Sequence, residues 1–226
     1  MPTEFDDMRY YPVCLDIKGR ACLVVGGGGV GTRKAKGLLA AGARVSVVSP
    51  EISPGLRGLT PEPVRWHRRS YRPEDLDGMF LVFGATDDEA LNRRIYDDAG
   101  KRNVLCNIAD RPDICNFILP SVVHRGDLLI AISTSGKSPA FAKKLRKDLE
   151  RQYGEEYARF LRLMGAVRER LLSKGHSPEA HKGQLEALLE AGLAELVCGG
   201  DHDGTDKLLV NVLGPDFQLE RLLKAP

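Results

Sequence analysis

Four consecutive glycines near the start of the chain constrain its fold more than any other feature. They follow residues 22–25, a short apolar run that predicts a buried strand, and they precede a segment rich in Lys, Ala and Leu that predicts a helix. Gly26, Gly28 and Gly31 fill the three fixed positions of a dinucleotide-binding fingerprint. In that motif the first glycine permits a tight turn, the second lets a pyrophosphate approach the backbone, and the third packs the helix against its strand. A plain glycine-rich loop is the alternative, and the flanking strand and helix favour nucleotide binding over it.

Further apolar runs predict four more strands, which alternate with helical or loop segments. They lie at residues 45–48, 64–66, 79–85 and 104–109. Runs that are apolar on both faces are typical of parallel strands, and their alternation with helices predicts a Rossmann-type doubly wound α/β sheet. Residues 52–63 are rich in Pro and Gly and predict a loop, whereas Thr86, Asp87 and Asp88 predict the N-terminal cap of a helix.

The pattern changes in the second half of the chain. Two strand-like runs, 117–123 and 128–133, are joined by turn-forming residues, which predicts a β-hairpin. Ser138 and Pro139 are typical of the cap and the first position of a helix. Further helices are predicted at 157–171 and 185–196, with a break at 175–178 and short closing elements at 208–213 and 217–223.

Composition and charge exclude several classes of protein. The net charge of +2 gives no reason to expect nucleic acid as a partner. No apolar run approaches the roughly 18 residues needed to cross a bilayer, so no membrane association is expected. Residues 1–7 lack the basic and apolar regions of a signal peptide. The five cysteines are odd in number and form no C-x-x-C pair, which is typical of a reduced, cytoplasmic protein.

Charge is distributed unevenly along the second half of the chain. Residues 137–174 contain eleven Lys and Arg against five Asp and Glu, whereas residues 175–226 contain nine acids against four bases. Two solvated faces would explain this pattern, and so would a basic site for an anionic substrate. Hydroxyl groups near the start of this basic segment lack a nucleophile elbow or an evident base, so they favour capping and anion binding over nucleophilic catalysis. The candidate substrate-binding residues are Ser133, Thr134, Lys137, Ser138 and Lys143.

Ligands of open parallel sheets bind at the carboxyl ends of the strands, which selects a second set of candidates. This set consists of Gly26, Gly28, Gly29, Val30, Gly31, Pro50, Glu51, Thr86, Asp87 and Asp110. Glu51 lies twenty residues after Gly31, where such folds place an acid on the ribose, and a carboxylate there would favour NAD over NADP. Asp110 follows a buried strand, at a position suited to a general base. The alternative is an exposed loop acid for Glu51 and a helix-cap or loop aspartate for Asp110. The scattered histidines indicate no metal site.

Six motifs in register resemble the siroheme synthase N-terminal family, which contains precorrin-2 dehydrogenases, some of which are also sirohydrochlorin ferrochelatases. The motifs are G-G-G-G-V-G-T-R-K-A, A-G-A-R-V-S-V-V-S-P-E, G-A-T-D-D, C-N-I-A-D, F-I-L-P-S and S-T-S-G-K-S-P-A. The resemblance covers residues 11–171, and a set of six motifs is far more specific than one glycine fingerprint.

The resemblance implies the oxidation of precorrin-2 to sirohydrochlorin with NAD as the hydride acceptor. It also implies a homodimer with an NAD-binding domain at 1–113, a dimerisation region at 114–150 and a small helical domain at 151–226. Asp110 matches the family's catalytic acid and base, and the residues that match contacts to NAD are Gly29, Val30, Pro50 and Glu51. The substrate is a polycarboxylate tetrapyrrole, which would give the basic segment 137–151 a ligand. Thr134 stands where some bifunctional members carry a serine that is phosphorylated.

Two other interpretations stay open at the level of sequence. A nucleotide-sensing regulatory module would explain the glycines but not the basic segment that follows S-G-K-S-P. A bifunctional enzyme that also inserts Fe²⁺ would use the same Asp110, so the sequence does not separate it from a dehydrogenase alone.

Overall fold

A computed structural model describes residues 9–173 and 178–223 of the chain. The chain divides into one unit up to Leu119 and another from Pro120 onwards. Two expectations from the sequence fall on residues outside the described ranges. They are the absence of a signal peptide at residues 1–7 and the larger part, residues 175–177, of the predicted break at 175–178.

Five parallel strands form the sheet of the first unit, in the order β3-β2-β1-β4-β5. The strands are β1 Ala21–Val25, β2 Arg44–Val48, β3 Val64–His67, β4 Leu81–Gly84 and β5 Leu105–Ile108. The helices are α1 Gly29–Ala40, α2 Pro54–Arg57 and α3 Glu89–Lys101, with short 3-10 turns at Pro73–Leu76 and Pro112–Ile114. This order of parallel strands is that of the Rossmann fold, which confirms the predicted α/β sheet.

Both faces of the sheet carry apolar side chains and are covered by helices, as is typical of parallel sheets. On one face, Val24 and Val47 pack with Ala35 of α1. On the other face, Val82 packs with Ile95 of α3. All five side chains are fully buried, and the larger apolar ones each contribute roughly 1.5–3 kcal/mol relative to an exposed position.

The register of the sheet brings four strand ends to one edge. Val25 pairs with Val48 on β2 and with Gly84 on β4, and Gly84 pairs with Ile108 on β5. These four residues are the last of their strands. The loops that follow β1, β2, β4 and β5 therefore leave the sheet at the same level, where ligands of such sheets bind.

The prediction of an uninterrupted loop at residues 52–63 is wrong in part, because α2 forms a single turn within it. Ser53 caps this turn, since its Oγ accepts a hydrogen bond from the N–H of Leu56. Pro54 takes the first helical position, where its fixed φ is favourable and its missing N–H costs nothing. The Ser-Pro pair was the signal for this turn, and the loop-like composition around it concealed the signal.

An antiparallel hairpin and several helices form the described part of the second unit. The elements are β6 Ser121–Arg125, β7 Leu128–Ile132, α4 Pro139–Gln152, α5 Glu156–Leu172, α6 Pro178–Glu190, α7 Leu193–Gly199, α8 His202–Leu213 and α9 Leu219–Leu223. The predicted hairpin is confirmed, although its first strand begins at Ser121 rather than at residue 117. No helix within the described ranges is long and apolar enough to cross a membrane.

The helix predicted at residues 185–196 is divided into two helices, so this prediction is wrong. Gly192 has a φ of +84° and turns the chain between α6 and α7. Leu188 and Leu193, on either side of the turn, are both fully buried in one core with Leu209 and Phe217. The apolar spacing predicted burial correctly, whereas the turn depends on a left-handed conformation that glycine adopts readily.

Candidate functional site

Two glycines of the fingerprint are required by the way the loop is packed. Gly26 has a φ of +111°, and a Cβ on it would lie 2.1 Å from the carbonyl oxygen of Ala85. A Cβ on Gly31 would lie 2.1 Å from the carbonyl oxygen of Gly26. No side chain fits at such distances, so these glycines have the turn and packing roles that the motif predicts.

Gly28 and Gly29 have a different environment, because they face open space. A Cβ on either residue would have no neighbouring heavy atom within 4 Å. Gly28 caps α1, and no side chain makes a capping hydrogen bond to the first N–H groups of the helix. The first N–H groups of a helix have no partner within it, and they carry the positive end of the helix dipole. This bare helix start is therefore a cradle that fits the pyrophosphate of a dinucleotide.

Gly27 is a third glycine required by packing, for a reason that the fingerprint does not include. A Cβ on it would lie 2.1 Å from the carbonyl oxygen of Glu51. The carbonyl oxygen of Gly27 also accepts a hydrogen bond of 2.8 Å from the N–H of Ser53. The segment after β2 is thus packed against the glycine loop, and this contact holds the backbone of Glu51 next to it.

The hydroxyl groups of Thr32 and Ser53 support the glycine loop, and neither residue was among the candidates from the sequence. The hydroxyls of Thr32 and Ser53 lie 2.7 Å apart and form a hydrogen bond. The Thr32 hydroxyl also donates to the carbonyl oxygen of Gly28 at 2.8 Å. These contacts leave the N–H groups at the start of α1 free for a ligand, because they engage only carbonyl and hydroxyl oxygens.

The candidates that follow β2 and β4 lie at the same sheet edge as the glycine loop. Pro50 and Glu51 are exposed. Thr86 and Asn92 form a reciprocal pair, in which the Thr86 hydroxyl donates to Asn92 Oδ1 at 2.9 Å and Asn92 Nδ2 donates to the Thr86 carbonyl at 2.8 Å. Asp87 is exposed. The predicted helix cap is confirmed, since an Asp88 carboxylate oxygen accepts from the N–H of Leu91 at 3.0 Å.

Asp110 lies two residues beyond the end of β5, exposed and in an unusual backbone conformation. Its φ is +58°, in the left-handed region that Asp and Asn tolerate better than most residues. The turn is clamped by Cys115, whose Sγ accepts from the N–H of Ile108 at 3.1 Å and donates to the carbonyl of Arg111 at 3.1 Å. Burial raises the pKa of the Cys115 thiol, so the group keeps its proton and its role as a donor at neutral pH.

The segment after this turn runs back alongside β5 and stiffens the strand that carries Asp110. Asn116 exchanges two hydrogen bonds with the backbone of Cys106, at 2.8 and 3.1 Å. Asn107 Nδ2 donates to the carbonyl of Phe117 at 3.0 Å. Phe117 is thereby engaged within the first unit, which explains why the first hairpin strand starts later than the sequence predicts.

The five candidate substrate-binding residues lie together in the second unit, at and just after the loop between β7 and α4. Ser138 Oγ accepts from the N–H of Phe141 at 3.3 Å and so caps α4 as expected. Thr134 Oγ1 accepts from the N–H of Ser138 at 3.1 Å, and Ser133 Oγ accepts from the N–H of Ser135 at 3.1 Å. Lys137 and Lys143 are exposed. The hydroxyls thus shape the loop, and the two ammonium groups are accessible to an anionic ligand.

Among the described residues, no cluster of His, Cys, Asp and Glu has the arrangement of a metal site.

Comparison with known proteins identifies the family. Residues 13–121 match a family described as "Putative NAD(P)-binding", and residues 125–152 match one described as "Sirohaem biosynthesis protein central". Siroheme synthase of Photorhabdus laumondii is 37% identical over 203 residues, and siroheme synthase 1 of Cronobacter sakazakii is 38% identical over 203 residues. Each alignment covers 89% of this chain but 43% of the relative, so the chain spans less than half the length of these proteins.

A solved structure gives an alignment over nearly the full length of both proteins. SirC, a precorrin-2 dehydrogenase, is 30% identical to this chain and superimposes with a TM-score of 0.75. The match covers 90% of this chain and 98% of SirC. The chain therefore belongs to the siroheme synthase N-terminal family, the family of precorrin-2 dehydrogenases that its six sequence motifs resemble.

Proposed function

We propose that this protein is an NAD-dependent dehydrogenase that oxidises precorrin-2 to sirohydrochlorin. The observation that carries the proposal is the placement of Asp110 on the sheet edge that also holds the open glycine cradle. A dehydrogenase needs a dinucleotide site and a proton acceptor at one place, and this edge provides both. Membership of a family that contains precorrin-2 dehydrogenases supports the choice of substrate.

The dinucleotide is held by the start of α1 and by the loops after β2 and β4. The N–H groups of Gly29 and Val30 bind the pyrophosphate, and the bare Cα of Gly28 lets it approach. The exposed carboxylate of Glu51 binds the adenosine ribose and disfavours a 2′-phosphate, which selects NAD over NADP. Pro50, Thr86 and Asp87 line the same edge. Bound NAD⁺ supplies a hydride acceptor.

Asp110 acts as the proton acceptor in this proposal. Its carboxylate is exposed and accessible to a substrate, and its turn is held by the half-buried Cys115. Asp110 removes a proton from the macrocycle while a hydride leaves for NAD⁺, so the oxidation removes two hydrogens, one as a proton and one as a hydride. In the second unit, the hydroxyls of Ser133, Thr134 and Ser138 and the ammonium groups of Lys137 and Lys143 bind substrate carboxylates.

An Asp110→Asn variant tests the catalytic role directly. Asn keeps the shape and tolerates the same backbone conformation, but it does not accept the proton, so we expect the rate of precorrin-2 oxidation to fall about 10²–10⁴-fold. The measurement is the formation of NADH with purified protein, precorrin-2 and NAD⁺. Asp97→Asn is the matched control, since Asp97 is an exposed aspartate on α3. An Asp110→Asn variant with the wild-type rate would exclude Asp110 as the base.

Insertion of Fe²⁺ into sirohydrochlorin is a second activity within this family, and relatives of this chain are named siroheme synthases. In our proposal Fe²⁺ enters as a substrate, with Asp110 accepting the protons that the macrocycle releases. Incubation of the protein with sirohydrochlorin and Fe²⁺, compared with a reaction without enzyme, separates one activity from two. Binding of NAD⁺ without its reduction by any tetrapyrrole would favour a regulatory module instead.

We further propose that the protein is a cytoplasmic homodimer. All five cysteines are free thiols, as expected in a reducing compartment. Leu129 on β7 is 48% exposed and Phe141 on α4 is 52% exposed. Both lie in the region 114–150 that the resemblance assigns to dimerisation, and contact with a second copy would bury them.

A further inference from the structure

Lys34 differs from the other lysines of the described ranges, because it is half-buried and they are all exposed. It lies on the second turn of α1, and its ammonium nitrogen stands 4.9 Å from the ring centroid of Phe83. Within the part of the chain that the structure describes, it makes no hydrogen bond and no ion pair. A desolvated ammonium is costly unless it is paired, and a cation–π contact offsets only part of that cost.

The ammonium of Lys34 lies near the carboxyl ends of β4 and β5. Phe83 is the penultimate residue of β4 and pairs with Asn107, which is three residues before Asp110. The Phe83 ring also packs edge-on against Phe117, at 5.7 Å between centroids. The ammonium of Lys34 is therefore held beside the strand end that carries the proposed base.

The electrostatic surroundings agree with this position. Burial lowers the pKa of Lys34, and the like charge of Arg33 lowers it further. The Asp110 carboxylate acts in the opposite direction and raises the pKa of Lys34, which agrees with the place of both residues near the end of β5. A carboxylate of a bound ligand would stabilise the charged form of Lys34 and offset the free energy lost through its dehydration.

We propose that Lys34 binds a carboxylate of the tetrapyrrole substrate and so orients the macrocycle against Asp110. The inference rests on the proposed function and adds a substrate-binding cation in the first unit, whereas the other candidate substrate residues lie in the second. Lys34 lies six positions after Gly28, about 9 Å along the helix axis. Its ammonium contacts the ring of Phe83 on β4, which distinguishes it from the residues of the pyrophosphate cradle.

Equilibrium binding of sirohydrochlorin tests the proposal without turnover. We expect Lys34→Gln to weaken binding about tenfold or more, because a charge-assisted hydrogen bond is lost, and Lys34→Arg to retain most of the affinity. The Kd of NAD⁺ stays at the wild-type value in both variants. Lys36→Gln is the matched control, since Lys36 lies on the same helix and is exposed.

Stability provides a second readout that a structural lysine would not produce. Replacing an unpaired, half-buried ammonium with an apolar side chain is neutral or stabilising for the fold, so Lys34→Met unfolds in urea at the wild-type midpoint or above it while binding sirohydrochlorin more weakly. If Lys34 had a structural role instead, the Lys34→Met protein would unfold at a lower urea concentration than the wild-type protein, and this result would contradict the proposal.

The outcomes separate failure of this inference from failure of the proposed function. If the wild-type protein binds sirohydrochlorin and oxidises precorrin-2 while Lys34→Gln binds equally well, the role of Lys34 is wrong and the proposed function stands. Loss of NAD⁺ affinity in Lys34→Gln would assign Lys34 to the cofactor and also overturn the inference. A wild-type protein that neither binds sirohydrochlorin nor oxidises precorrin-2 overturns both proposals.

Discussion

At the scale of single residues, the glycine loop contains two kinds of glycine, which differ in the space around their Cα atoms. Gly26, Gly27 and Gly31 have no room for a side chain because backbone oxygens lie too close. Gly28 and Gly29 have room in the free protein and are required only if a ligand approaches their backbone. Substitution therefore distinguishes a glycine needed for folding from one needed for binding.

A Gly28→Ala variant tests the binding role of the loop. The added methyl group would occupy the open cradle, so we expect the Kd of NAD⁺ to rise at least about tenfold. The free energy of unfolding should fall by no more than about 1 kcal/mol, because alanine caps a helix less well than glycine. Calorimetric titration with NAD⁺ and urea unfolding measure the two quantities.

Gly37→Ala is the matched control for this variant. Gly37 lies in the interior of α1, and a Cβ on it meets no atom within 4 Å. We expect it to stabilise the fold by about 0.5–1 kcal/mol and to leave NAD⁺ binding unchanged. Wild-type affinity in Gly28→Ala would show that the cradle does not hold the dinucleotide.

At the scale of elements, the buried strands of the first sheet couple stability to alkaline pH. Burial raises the pKa of the Cys22 thiol on β1 to about 11, and that of the Cys106 thiol on β5 to about 12, from a usual value of 9.0. The unfolded chain therefore releases these protons at lower pH than the folded chain does. Their contribution to stability is complete below pH 9 and is lost as the pH rises through the folded values.

We expect the free energy of unfolding to fall between pH 9 and pH 11, by about 1.4 kcal/mol per pH unit for each thiol. Urea unfolding across this range measures the slope. A Cys22→Ala, Cys106→Ala double variant should be less stable at neutral pH but should show a shallower alkaline slope. Cys14→Ala is the control, because Cys14 is exposed. If the slope were unchanged in the double variant, the two buried thiols would not be the cause of the alkaline loss of stability.

At the scale of the whole molecule, the exposed apolar side chains of the second unit provide a test of the proposed dimer. Phe141→Glu or Leu129→Lys would place a charge in the proposed contact between copies, and burying an unpaired charge is strongly unfavourable. We expect either variant to be monomeric in sedimentation at concentrations where the wild-type protein is dimeric. Leu189→Lys, at an equally exposed position on α6, should leave the dimer intact. A monomeric wild-type protein would remove the dimer from the proposal.

Sequence periodicity predicted the elements well where the signal is local. Apolar runs identified all five strands of the first sheet, and Ser138 and Asp88 identified helix starts. The errors came from single residues with special backbone roles. Gly192 divides a continuous apolar pattern into two helices, and Ser53 with Pro54 starts a helical turn inside a segment with the composition of a loop.

The sequence by itself determined the Rossmann-type alternation of strands and helices, the glycine fingerprint between β1 and α1, and the place of Asp110 after a strand, because each of them is indicated by a local pattern of residue types. Only the tertiary structure decided which distant groups complete that edge. The Thr32–Ser53 hydrogen bond joins residues twenty-one positions apart, and Lys34 on α1 contacts the ring of Phe83 on β4. Such contacts follow from the packing of remote segments, and no local pattern of residue types encodes their distances.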